Sequence, residues 1–201
     1  MIVKVCGIAD EPDARAAIEA GANALGFNFW PGSPRYLTHQ AASEFVPELT
    51  GVLKVGVFVD SPAYEIAEIV ERLRLDVVQL HGSAAAPFGI RFWRAVPVRK
   101  GFDSTTSLPD EAAEAYLLDA PAGALHGGSG QTFDWTLVRN SPRRIIVAGG
   151  LDASNVELAI STAKPWGVDA CSRLEISPGR KDHAKVAAFV AAALSAALTI
   201  E

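Results

Sequence analysis

Eight short apolar segments, separated by helical or loop segments, constrain the fold of this chain more than any other feature. They recur about every 24 residues, which is room for one strand, one helix and two short loops. Strands that alternate with helices build parallel sheets. Six units could form an open doubly wound sheet, whereas eight favour an α/β fold of the closed (β/α)8 TIM-barrel type. The predicted strands start near Ile2, Asn23, Val52, Leu75, Phe92, Tyr116, Arg144 and Gly167.

The helix signals between these strands are uneven. The run 60–62, Asp-Ser-Pro, predicts a cap followed by proline at the first helical position, and Asp182 predicts the cap of a last helix. The segment 84–90 predicts a short helix that proline interrupts, and the polar segment 99–109 matches neither a strand nor a helix. No linker-like composition divides the chain, so we expect one barrel domain over residues 1–201.

Composition and charge exclude several classes of protein. A net charge of −5 argues against a nucleic-acid-binding domain, although a local basic pocket for an acidic small molecule remains open. No apolar run is long enough to predict a membrane span, and the start of the chain lacks the features of a signal peptide. Two cysteines in 201 residues do not make a disulfide framework, and we therefore expect a cytoplasmic protein.

Polar residues gather at the predicted C-terminal ends of the strands, where enzymes with this barrel place their active sites. Side chains two residues apart on a strand share a face, so these groups should converge on one mouth of the barrel. Asp119 ends the sixth strand. The pairs that share a face are Lys4 with Cys6, Gln79 with His81, and Asp169 with Cys171.

Gly149 and Gly150 follow the seventh strand, and Ser172 follows the eighth. Barrels of this type commonly hold phosphate there, because glycine lets backbone N–H groups approach an anion. The arrangement predicts a phosphate site, with a plain tight turn as the structural alternative.

Eight motifs stand in order along the chain: KVCGI at 4–8, GFNFWPGSPRYL at 26–37, GVFV at 56–59, VVQLHG at 77–82, LLDA at 117–120, GGSGQTFDW at 127–135, AGGL at 148–151 and SRLEISPGRKD at 172–182. In these motifs nearly the whole chain resembles the phosphoribosylanthranilate isomerase family. The resemblance implies the Amadori rearrangement of N-(5-phosphoribosyl)anthranilate to 1-(2-carboxyphenylamino)-1-deoxyribulose 5-phosphate in tryptophan biosynthesis. It further implies a small sugar-phosphate substrate, no cofactor or metal, and a monomer or homodimer.

The resemblance assigns chemical roles at the barrel mouth. Asp119 corresponds to the general acid that opens the furanose ring, and Cys6 to the general base that takes the C2 proton. Lys4 is a cation that can favour the Cys6 thiolate, and Arg35 corresponds to the residue that pairs with the anthranilate carboxylate. The structural alternatives are a cap or salt bridge for Asp119, a buried apolar cysteine for Cys6, and a solvated loop arginine for Arg35.

Other matching positions are interpreted as supporting ones. Gln79, His81 and Asp169 correspond to family positions that face the mouth and predict a hydrogen-bonding shell, although His81 fits a structural role equally well. Gly128 and Gly130 belong to a loop that resembles the family's loop after the sixth strand, and we expect this loop to close over the substrate.

The end of the eighth strand departs from the family's usual Ser-Ser-Gly-Val-Glu, because residues 171–175 read Cys-Ser-Arg-Leu-Glu. Arg173 stands where a glycine normally lets the backbone approach the phosphate. We hypothesise that its guanidinium supplements that contact; a weakened phosphate site is the alternative. Cys171 stands near Cys6 on a neighbouring strand, which suggests a second hypothesis, reversible inactivation by a disulfide.

Two other functions remain open at this point. A bifunctional sugar-phosphate isomerase that also serves histidine biosynthesis would carry an acidic residue where this chain has Cys6. A non-catalytic or altered-specificity sugar-phosphate-binding barrel is supported by Arg173 alone, whereas Cys6, Asp119 and Arg35 argue against it.

Overall fold

The strands form a closed barrel in the computed structural model, which describes residues 1–109, 111–120 and 131–199. Neighbouring strands pair in parallel, and the eighth pairs with the first. Each begins within two residues of its predicted start, which confirms the barrel. The strands are β1 (Ile2–Cys6), β2 (Ala24–Asn28), β3 (Leu53–Val59), β4 (Val77–His81), β5 (Phe92–Pro97), β6 (Ala115–Asp119), β7 (Ile145–Val147) and β8 (Gly167–Ala170), and β9 (Glu175–Ser177) and β10 (Arg180–Lys181) form a separate antiparallel pair.

Helices connect some of the strands but not all of them. As predicted, Asp182 caps the last helix, because its carboxylate accepts the N–H groups of Ala184 and Lys185 at 3.0 and 3.1 Å. A short 3-10 helix, Trp135–Val138, lies between β6 and β7. Within the described residues, no helix combines the length and apolarity needed to cross a membrane. The α-helices are α1 (Glu11–Glu19), α2 (His39–Phe45), α3 (Ala63–Leu73), α4 (Val156–Ala163) and α5 (His183–Ala197).

The predicted start of α3 is wrong by one residue. Pro62 is the capping residue, the helix begins at Ala63, and no side chain caps it. Asp60, expected near the cap, instead accepts hydrogen bonds from the N–H and hydroxyl of Ser83 at 2.7 and 2.9 Å. A tertiary contact to the loop after β4 thus takes the carboxylate that the local pattern assigned to the helix.

The helix predicted over 84–90 is absent, since the described chain between β4 and β5 forms turns. Pro87 has no N–H to donate, and a seven-residue segment is too short for a helix without strong tertiary support. The segment 99–109 also forms turns, in which Asp103 accepts the N–H of Thr105 at 2.8 Å.

The interior of the barrel changes from apolar to polar along its axis. A buried cluster that includes Val77 and Trp93 fills the N-terminal end. Further along, the inward-facing positions carry Lys4, Gln79 and Asp169, all of them buried. The larger apolar cluster lies between the sheet and the helices. The apolar side chains are buried against the helices and at the N-terminal end of the barrel. The polar side chains of the interior therefore lie toward the C-terminal mouth.

Candidate active site

A buried ion pair joins the two strands that close the barrel. Lys4 Nζ lies 2.9 Å from Asp169 Oδ1, and the two residues are register partners on β1 and β8. Burial opposes the charge on Lys4, but Asp169 and the neighbouring Cys6 raise the pKa of Lys4 above its usual value. Burial raises the pKa of Asp169 to about 7, although Lys4 opposes this shift. The ammonium of Lys4 is therefore a stable cation at the end of β1.

Cys6, the last residue of β1, lies beside this cation. An ideal Cβ at Gly26 on β2 would lie 2.6 Å from Cys6 Sγ and 3.0 Å from Lys4 Nζ, so the glycine leaves space for both groups. A hydrogen bond from Cys171 and the charges of Lys4 and Lys181 lower the pKa of Cys6 well below its usual value, although burial opposes them. The setting favours a thiolate, the form of cysteine that can take a proton.

Asp119 ends β6, and its carboxyl group lies in the same mouth. Burial raises its pKa to about 6; the Ala120 N–H and Lys4 oppose the shift, and the charge of Cys6 adds to it. Its Oδ1 is buried and has no hydrogen-bond partner in the described part of the chain. A carboxyl group in this environment can hold a proton close to neutral pH.

Gly149 packs directly against this carboxyl group. Its φ is +85°, and an ideal Cβ there would lie 2.5 Å from Asp119 Oδ1 and 2.9 Å from the carbonyl oxygen of Gln131. We expect Gly149→Ala to displace the carboxyl group and lower kcat/KM by about tenfold or more in steady-state assays. Gly51→Ala is the matched control, since Gly51 has φ +75° and an ideal Cβ there would meet nothing within 4 Å. Equal activity of the two variants would contradict the steric argument.

Arg35 lies in a buried charge network. Its Nε and Nη2 donate to the two carboxylate oxygens of Glu175 at 2.7 and 2.8 Å, and Lys181 Nζ donates to Glu175 Oε1 at 2.9 Å. Although burial opposes it, Arg35 and Lys181 lower the pKa of Glu175. The carboxylate thus holds the guanidinium through one edge, and Arg35 Nη1 donates to none of the described residues. This edge can bind a substrate carboxylate.

Glu175 and Lys181 are the site residues to which sequence reasoning gave no role. Both belong to the SRLEISPGRKD motif, and they are paired residues on β9 and β10, at the end of this hairpin away from its turn. The feature of the sequence that could have identified them is a pair of opposite charges after the last barrel strand. Their meaning depends on Arg35, which lies far away in sequence.

Gln79 and His81 contact each other on the interior face of β4. Gln79 Nε2 and His81 Nε2 are 2.9 Å apart, so His81 accepts this hydrogen bond when its Nδ1 carries the proton. Gln79 Oε1 is buried without a partner among the described residues. The two side chains therefore form one polar unit at the mouth.

The residues predicted to bind phosphate line one small cavity. Gly149 and Gly150 have φ values of +85° and +61°, so neither position suits a residue with a side chain. Arg173 Nη1 lies 2.9 Å from Asp152 Oδ2, an ion pair that holds the guanidinium at the rim. The cavity is lined by Gly149, Gly150, Leu151, Asp169, Cys171, Ser172 and Arg173.

The predicted lid glycines, Gly128 and Gly130, lie outside the described residues. The hypothesis of a disulfide between Cys6 and Cys171 stays a prediction; both are free cysteines in this structure.

Comparisons with known proteins point to one family. A family described as N-(5'phosphoribosyl)anthranilate (PRA) isomerase matches residues 3–192. The N-(5'-phosphoribosyl)anthranilate isomerase of Solibacter usitatus (strain Ellin6076) is 50% identical over 199 residues, which cover 98% of each chain.

Solved structures give the same result. The crystal structure of the phosphoribosyl anthranilate isomerase from Thermus thermophilus has a TM-score of 0.84 at 33% identity, covering 97% of this chain and 99% of that one. A phosphoribosyl anthranilate isomerase in complex with reduced 1-(o-carboxyphenylamino)-1-deoxyribulose 5-phosphate has a TM-score of 0.77 at 31% identity, covering 97% of this chain and all of that one.

Proposed function

The chain belongs to the N-(5'-phosphoribosyl)anthranilate isomerase family, and we propose that Asp119 is the general acid and Cys6 the general base of its reaction. The reaction is the Amadori rearrangement of N-(5'-phosphoribosyl)anthranilate in tryptophan biosynthesis. The observation that supports these roles is the meeting of a carboxyl group with a raised pKa and a thiol with a lowered pKa in one mouth.

The first step opens the furanose ring. Asp119 gives its proton to the ring oxygen as the bond between that oxygen and C1 breaks, and the nitrogen lone pair forms a protonated Schiff base. The carboxylate left behind accepts the N–H of Ala120 and is attracted by Lys4, which stabilises its charge. A pKa of about 6 keeps part of the carboxyl population protonated near neutral pH.

The second step moves a proton from carbon. The Cys6 thiolate takes the C2 proton of the Schiff base, and the electrons of that bond form the C1–C2 double bond of an enolamine. Protonation at C1 and loss of the C2 hydroxyl proton then give the ketone. Lys4 and Lys181 favour the thiolate that this step requires.

The two ends of the substrate fit two separate contacts. Arg35, held by Glu175 through Nε and Nη2, offers its Nη1 edge to the anthranilate carboxylate. The 5'-phosphate fits the cavity of Gly149, Gly150 and Ser172, where backbone N–H groups can approach an anion. Anchors at both ends orient C1 and C2 toward the acid and the base.

Turnover of phosphoribosylanthranilate, made in situ in D₂O, tests the proposed proton transfers. We expect rearranged product that carries solvent deuterium at C1, since the proton added there comes from an exchangeable group. Product without deuterium would contradict proton loss to an exchanging base. Absence of product from the folded protein would favour the non-catalytic sugar-phosphate-binding alternative.

Arg173 is proposed to supplement phosphate binding at the cavity rim. We expect Arg173→Gly to raise KM by about three- to tenfold with little change in kcat, because a half-exposed guanidinium contributes a weak charge-assisted contact. Arg139→Gly, a loss of the same charge on an exposed residue away from the mouth, is the control. An unchanged or lower KM in Arg173→Gly would show that the guanidinium does not help.

A further inference from the structure

The two cysteines of the chain meet at the seam where β8 closes the barrel. The parallel register pairs Lys4 with Asp169 and Val5 with Ala170, and Cys6 and Cys171 are the next residues along the two chains. Each thiol shifts the pKa of the other, lowering that of Cys6 and raising that of Cys171, which indicates that the two side chains lie close together. An ideal Cβ at Gly7 would lie 2.9 Å from Cys171 Sγ, which places this sulfur directly beside the end of β1.

Of the two cysteines, Cys6 is the one whose sulfur carries the negative charge of a thiolate. Lys4 lies against Cys6, and its ammonium is permanent because Asp169 pairs with it. Cys171 lies on the side of the β9–β10 hairpin, with its Sγ 3.8 Å from Lys181 Nζ. Lys181, however, already donates to the Glu175 carboxylate at 2.9 Å. The Glu175 carboxylate also lies 3.9 Å from Cys171 Sγ and opposes a negative charge there, so the thiolate is favoured on Cys6.

The proton of the Cys171 thiol has two acceptors within reach. One is Glu175 Oε1 at 3.9 Å, which is near the limit for a sulfur hydrogen bond. That oxygen already accepts from Arg35 at 2.7 Å and from Lys181 at 2.9 Å. The other acceptor is the Cys6 sulfur, whose negative charge has fewer donors, so the proton of Cys171 is better placed there.

We propose that Cys171 is a positioning residue that donates its S–H to Cys6 and thereby maintains the resting thiolate. The proposal rests on the function proposed above for Cys6. It also explains why cysteine can stand where the resembled family usually has serine, since both residues supply one donor hydrogen. The groups that face the cysteine pair are Lys4, Arg35, Asp119, Asp169, Glu175 and Lys181.

The test compares Cys171→Ser, which keeps a donor, with Cys171→Ala, which removes it. Because the chain has 2 cysteines, Cys6 is the only thiol left in either variant. Its ionisation can therefore be followed by thiolate absorbance in the ultraviolet as a single titration. We expect the pKa of Cys6 to be about one unit higher in Cys171→Ala than in Cys171→Ser.

The pH profile of kcat/KM provides the second readout. The limb that reports Cys6 should move to higher pH in Cys171→Ala, with kcat/KM about tenfold lower on its acidic side, and serine should restore it. Equal Cys6 titrations in the two variants would overturn the proposal. If alanine prevents folding, Cys171→Val replaces the thiol with a group of similar size that has no donor.

The outcomes separate this inference from the function on which it rests. If Cys6→Ser keeps full turnover, Cys6 is not the base, yet the titrations still decide whether Cys171 stabilises its thiolate. If Cys6→Ser is inactive while the two Cys171 variants titrate alike, the base assignment stands and the positioning role is wrong.

Discussion

Asp119→Asn should lower kcat/KM by about 10²- to 10⁴-fold, the usual contribution of a general acid, while substrate affinity changes only a few fold. Asparagine has nearly the same shape as aspartic acid but cannot give a proton to the ring oxygen. The proposed anchors, Arg35 and the cavity at Gly149, do not include the carboxyl group. The loss should therefore appear in kcat, measured with phosphoribosylanthranilate made in situ.

The same substitution should increase stability relative to the unsubstituted protein as pH rises. The pKa of Asp119 is raised from 3.8 to about 6 by burial, so the folded state binds this proton more tightly than the unfolded state does. The resulting stabilisation is complete below 3.8 and is lost as pH rises through about 6. We expect the free energy of unfolding of Asp119→Asn, relative to the unsubstituted protein, to increase between these pH values in urea titrations.

Asp10→Asn is the matched control for both measurements. Asp10 is exposed and caps α1, and asparagine caps helices about as well. Its activity and its pH-dependent stability should follow those of the unsubstituted protein. A loss of less than about tenfold in Asp119→Asn would remove Asp119 from the role of general acid.

The barrel could be predicted well from the sequence, because eight apolar segments recur at a regular spacing along the chain. Eight strand starts were placed within two residues, since each apolar segment must be buried between the barrel interior and a helix. The period of two along a strand also predicted which polar groups share a face, and Gln79 and His81 on β4 contact each other at 2.9 Å. The helix predicted over 84–90 was wrong, because a segment this short needs tertiary contacts to form a helix and the sequence alone does not show those contacts.

The charge network around Arg35 could not be predicted in the same way. Arg35 was expected to face a ligand, and its partner Glu175 is 140 residues away in the chain. The pairing depends on β9 and β10 folding back over the mouth, which no local periodicity indicates. Contacts of this kind follow from the closure of the barrel, so the residues could be identified as polar but not as partners.

Cys6→Ser should lower kcat by about 10²- to 10⁴-fold, because a hydroxyl group stays protonated where the thiolate is stabilised. Lys4 and Cys171 can favour a thiolate of ordinary pKa near 9.0, but they cannot ionise an alcohol at neutral pH. Asp119 would still open the ring, so the variant should bind substrate and stop before the C2 proton is removed. In D₂O the variant should form almost no deuterated product.

Cys6→Ala and Cys6→Asp separate loss of the base from loss of packing. Alanine removes both, whereas aspartate supplies a carboxylate that can take a proton beside the Lys4 ammonium. If Cys6 is the base, Cys6→Asp should exceed Cys6→Ala by at least about tenfold in kcat, and Cys6→Ser should resemble alanine despite its better fit. Activity that follows side-chain size, with serine highest, would mean that position 6 matters for packing and that another group removes the C2 proton.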